Sequence, residues 1–294
     1  MRFSRVLRAA SAAGIKLFIT PGVLEEVERH INLNYTYVDM KEGWKGHVPF
    51  LYASYVVSGG NPMSFKGWLS TFCGQVRPLD DVAEFLQDEF NIAVIDLESE
   101  VKQADEELVR AATDVWINIH DARRKGEAED YVKVRLARHD AELYVGVMQR
   151  RKADVGKNPL GFSHWIITLD SSAREAHQSI SDELVGVQAL YSPFISTDFL
   201  IKYIAYGPGR NLVAPDERKY LPALLGAHLE TYTKEIIEVA ENVRRLGADL
   251  TDRQLRRRIR DEVDKARAHI GPIQKAGIEG AMENIRNSRR NVPR

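Results

Sequence analysis

Short apolar runs that alternate with amphipathic segments constrain the fold of this chain more than any other feature. The runs Ile15 to Thr20 and Ile92 to Leu97 are typical of strands buried in a parallel sheet. Similar strands are predicted at 164–169 and 185–190. Apolar residues at helical spacing predict helices over 3–13, 80–90, 99–124, 128–136, 140–151 and 196–205. This alternation predicts an α/β fold with a parallel sheet covered by helices on both faces.

The turn Gly207-Pro208-Gly209 marks the natural domain boundary, because the pattern after it is helical only. We therefore predict an α/β domain over residues 1–210, with an aromatic-rich insertion at 33–75. Residues 211–294 are predicted to form an all-α, basic C-terminal region.

The formal net charge of −1 hides an uneven distribution. Residues 244–294 contain 14 Lys and Arg against 7 Asp and Glu, so this region is basic and the rest of the chain is acidic. Such asymmetry indicates a polyanionic partner, although an Arg-rich helix can also serve solubility alone. The candidate phosphate contacts are Arg256, Arg257, Arg258 and Arg260. The alternative is a solvated helix face, partly neutralised by the acidic residues that follow.

Several classes of enzyme lose support because their motifs are missing. The sequence has no phosphate-binding P-loop, no dinucleotide-binding glycine motif, no serine-hydrolase elbow and no H-E-x-x-H zinc motif. Its eight histidines are too far apart in sequence to be local zinc partners. The single cysteine, Cys73, cannot form an intrachain disulfide, so a reducing compartment such as the cytoplasm is expected.

Neither the apolar runs nor the N-terminus predicts a membrane segment. The best apolar run, Val48 to Val57, is too short to span a bilayer. Residues 1–17 are basic and lack acidic residues, which resembles an organellar transit peptide. The helical spacing of their apolar residues and the position of Gly14 favour a structural helix that ends at a turn into a strand.

Three acidic residues lie near strand ends or helix starts. Glu26 is in the helix after strand 15–20, Asp140 opens a predicted helix, and Asp170 follows strand 164–169. Ligands of parallel α/β sheets bind outside the carboxyl ends of the strands. Clustered carboxylates favour hard cations such as Mg²⁺ or Mn²⁺. Taken singly, each residue is explained as well by helix capping or by the helix dipole.

With their neighbours, these acids resemble the PIN-like nuclease family. The resemblance rests on Phe18–Val27, on His139-Asp140-Ala141-Glu142-Leu143, and on Trp165–Asp170 with its Thr-x-Asp ending. It implies a PIN-like parallel sheet flanked by helices, and cleavage of RNA, sometimes DNA, with Mg²⁺ or Mn²⁺. It also implies that Glu26, Asp140 and Asp170 form the metal site and are catalytic. Thr168 would support the cluster, and Ser171 and Glu142 are weaker candidates.

One departure from the family is serious. Its members begin with a strand that ends in a metal-binding Asp, whereas this chain starts in the helix that should follow that strand. The resemblance therefore implies a fragment of a longer protein, a lost start or a degenerate site. Asp96 ends a predicted strand but lies in the wrong order to substitute. We expect the strand at 15–20 to show an unpaired edge, or to pair with a strand from elsewhere in the chain.

Two functions follow as hypotheses. The first is a metal-dependent endoribonuclease that hydrolyses phosphodiester bonds of RNA, and the alternative is a non-catalytic PIN-like scaffold or interaction module. Pro215-Asp216-Glu217-Arg218-Lys219 contains fragments of a restriction-type nuclease motif, but capping of a helix start explains them better. The expected partners are RNA, with DNA as the alternative, and a larger polypeptide or a second copy of the chain, but no membrane.

Overall fold

The computed structural model describes residues 2–41, 44, 47–123, 130–152, 161–184, 191–222 and 234–266. The elements in these ranges are α1 (Arg2–Ala12), β1 (Leu17–Ile19), α2 (Pro21–Asp39), α3 (Phe50–Val57), α4 (Phe65–Leu69), α5 (Pro78–Phe90), β2 (Ile92–Val94), α6 (Glu98–Lys102), α7 (Glu106–Arg123), α8 (Asp130–Lys152), β3 (Ile166–Ile167), α9 (Ser172–Glu183), β4 (Phe194–Ile195), α10 (Thr197–Tyr206), α11 (Pro215–Arg218), α12 (Lys234–Leu246) and α13 (252–266). Short 3-10 turns occur at Pro62–Ser64 and Pro208–Leu212. Within the described ranges, no helix has both the length and the apolar character needed to cross a membrane.

The strands correct the predicted fold class. Among the described residues they form two separate two-stranded parallel sheets, β1 with β2 and β3 with β4, so the expected PIN-like central parallel sheet flanked by helices is wrong. The apolar runs are longer than the strands, because only two or three residues of each pair with a neighbour. The predicted strand at 185–190 lies outside the described residues, and β4 follows it at Phe194.

The N-terminal segment forms the structural helix that its pattern predicts. Val6, Ala9 and Ala10 of α1 are buried in a core that includes Leu17 of β1 and Ile204 of α10. Gly14 ends the helix with a positive φ of 80°, a conformation that residues with a Cβ atom rarely adopt.

Three long helices form the second core. Leu108, Val115 and Trp116 of α7 pack against Tyr144 and Val145 of α8, and buried residues of α9 complete the cluster. The predicted helix at 99–124 is divided into α6 and α7 at Asp105, whose carboxylate accepts a hydrogen bond from the backbone N–H of Glu107 at 2.9 Å.

A correction also applies to the middle of α8. The two predicted helices at 128–136 and 140–151 are one continuous helix, so Asp140 does not open a helix but lies in the interior of α8. The physical reason is that no helix-breaking residue separates Leu136 from Ala141, and the buried face continues through Ala137. Capping therefore does not explain Asp140.

The chain divides into two compact units. The first unit comprises Met1–Val27 and Gln75–His228, and the second comprises Glu28–Gly74 and Leu229–Arg294. Most of the predicted aromatic insertion belongs to the second unit, where Tyr37, Tyr52 and Phe65 are buried with edge-to-face ring contacts of 4.9 and 5.1 Å. Core packing therefore explains these aromatic residues.

Candidate functional site

A cluster of charged side chains surrounds the last turn of α7. His120 and Arg123, which are three residues apart on this helix, each contact a carboxylate from another element. The Nε2 atom of His120 lies 2.8 Å from Oδ2 of Asp140 on α8. The two terminal nitrogens of Arg123 donate to both carboxylate oxygens of Asp170 at 2.9 and 2.5 Å. We call these four residues the α7 cluster.

The local structure explains how the cluster forms. Residues three apart share a helix face, so His120 and Arg123 project from the same side of α7. The packing of α7 on α8 through Trp116 and its neighbours brings Asp140 next to this face. Asp170 lies three residues after the end of β3, at the start of the turn into α9.

The turn at Asp170 is held by its own hydrogen bonds. The backbone N–H of Asp170 donates to the hydroxyl of Thr168 at 2.9 Å, and the carboxylate of Asp170 accepts from the backbone N–H of Ser172 at 2.8 Å. Arg123 also donates to the hydroxyl of Ser172. These bonds fix the orientation of the Asp170 carboxylate, and Thr168 contributes to them through its hydroxyl.

The electrostatics of the cluster are those of paired charges at a partly open surface. The side chains of Arg123, Asp140 and Asp170 are 39%, 37% and 34% exposed. Hydrogen bonding by Arg123 is the main cause that lowers the pKa of Asp170 below its ordinary value, and the same pair raises the pKa of Arg123. Because a third of each side chain meets solvent, the attraction is screened.

His120 differs from the other three residues because it is buried. Its side chain is 8% exposed, and its Nε2 atom makes the hydrogen bond with Asp140. Its Nδ1 atom is buried and has no hydrogen-bond partner among the described residues. His120 therefore holds Asp140 in place from the interior side.

The donor chemistry of this cluster decides whether a metal fits. Within the described residues, no group of three or more His, Cys, Asp or Glu side chains could hold a metal ion. A magnesium ion, however, is commonly held by one or two carboxylates, with water and substrate phosphate completing its shell. Asp140 and Asp170 fit that smaller requirement once Arg123 releases Asp170. An exposed ion pair of this kind contributes only about 0–1 kcal/mol, so its replacement by a divalent ion costs little.

The third predicted residue, Glu26, lies on α2 and is partly buried. Its neighbour Glu25 accepts hydrogen bonds from Arg135 on α8 at 2.6 and 3.0 Å. The same carboxylate lies 3.3 Å from the Nε2 atom of His139, which precedes Asp140. The structure thus brings Asp140 and Asp170 to one turn of α7 and places Glu26 where α2 approaches α8.

The weaker candidates have separate positions. Glu142 is a partly buried residue of α8, and Ser171 is the N-cap of α9, where its side chain makes no capping hydrogen bond. Sequence reasoning missed His120 and Arg123. A signal for His120 is its place four residues after Trp116, where a titratable side chain continues the apolar stripe of α7, and Arg123 follows in the same last turn.

The four candidate arginines lie on α13 of the second unit. Leu255, Ile259 and Val263 form the buried face of this helix, and Arg256, Arg257, Arg258 and Arg260 are exposed. Asp261 lies 3.8 Å from Arg257 and 3.6 Å from Arg260, so it partly neutralises two of the four charges. The exposed face of α13 remains basic.

In comparisons with known proteins, no protein-family model, no curated protein and no solved structure matches this chain. A function for this protein is therefore inferred from the chemistry of the α7 cluster and of α13.

Proposed function

We propose that this protein is a metal-dependent hydrolase of RNA phosphodiester bonds, with the α7 cluster as its active site. The observation that supports the proposal most is the convergence of Asp140 and Asp170, from α8 and from the end of β3, on one turn of α7. Two partly exposed carboxylates that are fixed by their neighbours offer hard oxygen ligands for Mg²⁺ or Mn²⁺. When bound there, such an ion would supply Lewis-acid activation of water and of the phosphoryl group.

The residues of the chain have separate tasks in this proposal. Asp140, held by His120, and Asp170, held by the N–H of Ser172, provide the ligand oxygens. Arg123 gives up its hydrogen bonds to Asp170 and donates them to a phosphate of the RNA instead. A guanidinium binds phosphate in the same bidentate manner as it binds carboxylate. The ion pair between Arg123 and Asp170 then corresponds to the resting arrangement of the site.

The basic helix α13 would supply affinity for RNA. Its exposed arginines can contact phosphates of any sequence, which strengthens binding without selecting bases. The single cysteine, buried in the second unit, agrees with a reducing compartment such as the cytoplasm, where RNA is abundant.

The decisive experiment combines metal binding with cleavage. Isothermal titration with Mn²⁺ should detect binding to the natural protein, and Asp140→Asn and Asp170→Asn should each weaken it at least tenfold. Both variants should also lose Mn²⁺-dependent cleavage of a labelled single-stranded RNA. Asp216→Asn is the matched control, because Asp216 is an exposed carboxylate of the same unit that pairs with nearby Lys219. If Asp140→Asn and Asp170→Asn bind Mn²⁺ and cleave RNA as well as Asp216→Asn does, the proposal is contradicted.

A second function is favoured by a different feature of the same cluster. Arg123 and His120 already satisfy both carboxylates, which is what a non-catalytic scaffold would require. A scaffold of this kind binds RNA or protein without a metal. The natural protein would then bind RNA, but Mn²⁺ and Mg²⁺ would neither change its affinity for RNA nor produce cleavage products. That result would assign the protein as a scaffold.

A further inference from the structure

The first unit contains a cleft of about 830 Å³ that is bordered by one strand of each sheet. Residues 16–20, which include all of β1, and residues 162–167, which include all of β3, line it without interruption. The outer strands contribute far less, since β2 reaches the cleft through Ile92 and β4 through Ile195. The order across this region is therefore β2, β1, cleft, β3, β4.

The hydrogen bonds of β1 leave its cleft edge unpaired within the described part of the chain. In a parallel pair, the N–H and C=O groups of alternate residues point to the same neighbour. The C=O of Ile19 accepts from the N–H of Ile95 at 2.9 Å, so Ile19 faces β2. Phe18, the residue before it, consequently directs its N–H and C=O away from β2, and its side chain is 49% exposed.

The same reasoning applies to β3. The N–H groups of Ile166 and Thr168 donate to Pro193 and Ile195 at 2.9 and 3.2 Å, so these residues face the β4 side. Ile167, between them, directs its backbone groups away from β4, and its side chain is 40% exposed. In the described part of the chain each strand has one partner, so two unpaired edges border a single cleft.

We propose that this cleft binds an extended peptide segment of a partner protein, which adds as a strand between β1 and β3. Unpaired edges offer alternating donors and acceptors, which is the pattern a peptide backbone complements and an aliphatic ligand does not. This interaction is separate from the hydrolase activity and does not depend on it.

The walls of the cleft define the chemistry of the peptide. Leu143 and Val147 of α8 and Leu200 of α10 are apolar, so the segment should be apolar on both faces, as buried parallel strands are. Lys16 and Arg150 are the lysine and arginine of the lining, and no Asp or Glu of the described residues lines the cleft. Arg150 is already paired with Glu100 at 2.6 Å, so Lys16 carries the charge argument. Lys16 immediately precedes β1, so a segment parallel to β1 should carry a carboxylate on its N-terminal flank.

Proline substitution tests the inference, because proline lacks the N–H donor. Phe18→Pro and Ile167→Pro remove donors that point into the cleft without removing a bond to β2 or β4. Val94→Pro is the matched control, because Val94 lies on the outer edge of the first sheet and does not line the cleft. Circular dichroism and thermal unfolding establish that each variant is folded, and proline is tolerated at strand edges.

The natural protein is first used to select peptides from a displayed library of random segments about ten residues long. A fluorescent synthetic copy of a selected peptide is then the probe. The selected peptides should share an apolar run of four or five residues with an acidic N-terminal flank. Phe18→Pro and Ile167→Pro should each weaken binding about fivefold or more in anisotropy titrations, while Val94→Pro should leave it unchanged.

A second measurement covers variants that fail to fold. In the natural protein, the selected peptide should slow hydrogen exchange of the Phe18 and Ile167 amides at least tenfold. A copy of the peptide whose backbone is N-methylated in the apolar run should leave the exchange of these two amides unchanged. Equal binding by both peptides, unchanged exchange at these two amides, or failure to select any binding peptide would overturn the proposal. Concentration-dependent dimerisation that is lost in Phe18→Pro would instead assign the cleft to a second copy of the chain.

Discussion

At the level of single residues, the ion pair between Arg123 and Asp170 makes a contribution to stability that depends on pH. The pair lowers the pKa of Asp170 in the folded protein, so its stabilisation is present above the unfolded pKa of about 3.9 and is lost as the pH falls through the folded value. We therefore expect Asp170→Asn to lower the free energy of unfolding by about 0.5–1 kcal/mol at neutral pH, because the pair is partly exposed.

Denaturant unfolding at a series of pH values checks this expectation. The difference between the natural protein and Asp170→Asn should shrink towards zero as the medium becomes more acidic than the folded pKa. Asp216→Asn, which removes an exposed carboxylate, should show little difference at any pH. A constant difference over the whole series would show that the carboxylate acts through packing rather than through its charge.

The residues of the candidate site also show what sequence can predict at this scale. Asp140 and Asp170 are candidates from sequence because each has distinctive neighbours in the chain. His120 and Arg123 contact them across 20 and 47 positions, and local spacing carries no information about such separations. The place of Asp140 inside α8 was missed for the opposite reason, since Asp is a good N-cap and the helix simply continues through it.

At the level of elements, the close approach of α8 to the start of α6 depends on a glycine. A Cβ atom at Gly146 would lie 2.7 Å from the Cβ of Leu97 and 2.9 Å from its Cδ1. Overpacking of this kind costs about 1–3 kcal/mol, whereas the gain in helix propensity from Gly to Ala is about 0.5–1 kcal/mol. We expect Gly146→Ala to be destabilising by about 1–2 kcal/mol.

Gly67 of α4 is the matched control, because a Cβ atom there would meet nothing within 4 Å. Gly67→Ala should therefore be neutral or stabilising by up to about 1 kcal/mol. Thermal unfolding of the two variants beside the natural protein measures both effects. If Gly146→Ala raises the melting temperature, the packing of α8 on Leu97 is looser than the contact distance implies.

Elements also show where periodicity succeeds and where it fails. The apolar spacing in α1, α5 and α10 predicted those helices within two residues, because one buried stripe is a local property of the sequence. The sheet was predicted wrongly because strand pairing is non-local. Each apolar run looks like a buried strand, yet only two or three residues of each are paired. Helix α9 was missed, since its small and polar residues give a weak apolar stripe.

At the level of the whole molecule, charge is distributed in a way that the net value conceals. The acidic body and the basic C-terminal region nearly cancel, so the isoelectric point near 6.7 gives no hint of a polyanionic partner. The α7 cluster belongs to the first unit and α13 to the second. Binding and chemistry can therefore be separated by substitution, which makes the RNA hypothesis testable without altering the proposed active site.

Replacing Arg256, Arg257, Arg258 and Arg260 by Gln should reduce the dependence of RNA affinity on salt. Each lost phosphate contact lowers the slope of log affinity against log salt by about 0.7 on single-stranded RNA. Asp261 partly neutralises two of these arginines, so we expect a change that corresponds to two or three contacts rather than four. Filter binding or fluorescence titration over a range of salt concentrations measures the slope.

A second quadruple variant separates local contacts from net charge. Arg77, Lys102, Arg110 and Lys219 are exposed cations of the first unit, and their replacement by Gln removes the same four charges. If α13 contacts phosphate, this variant should keep nearly the full salt slope, while both variants should retain cleavage at saturating RNA because neither alters the α7 cluster. Equal loss of slope in the two variants would indicate general electrostatic attraction, and an unchanged slope in the α13 variant would remove α13 from the RNA-binding surface.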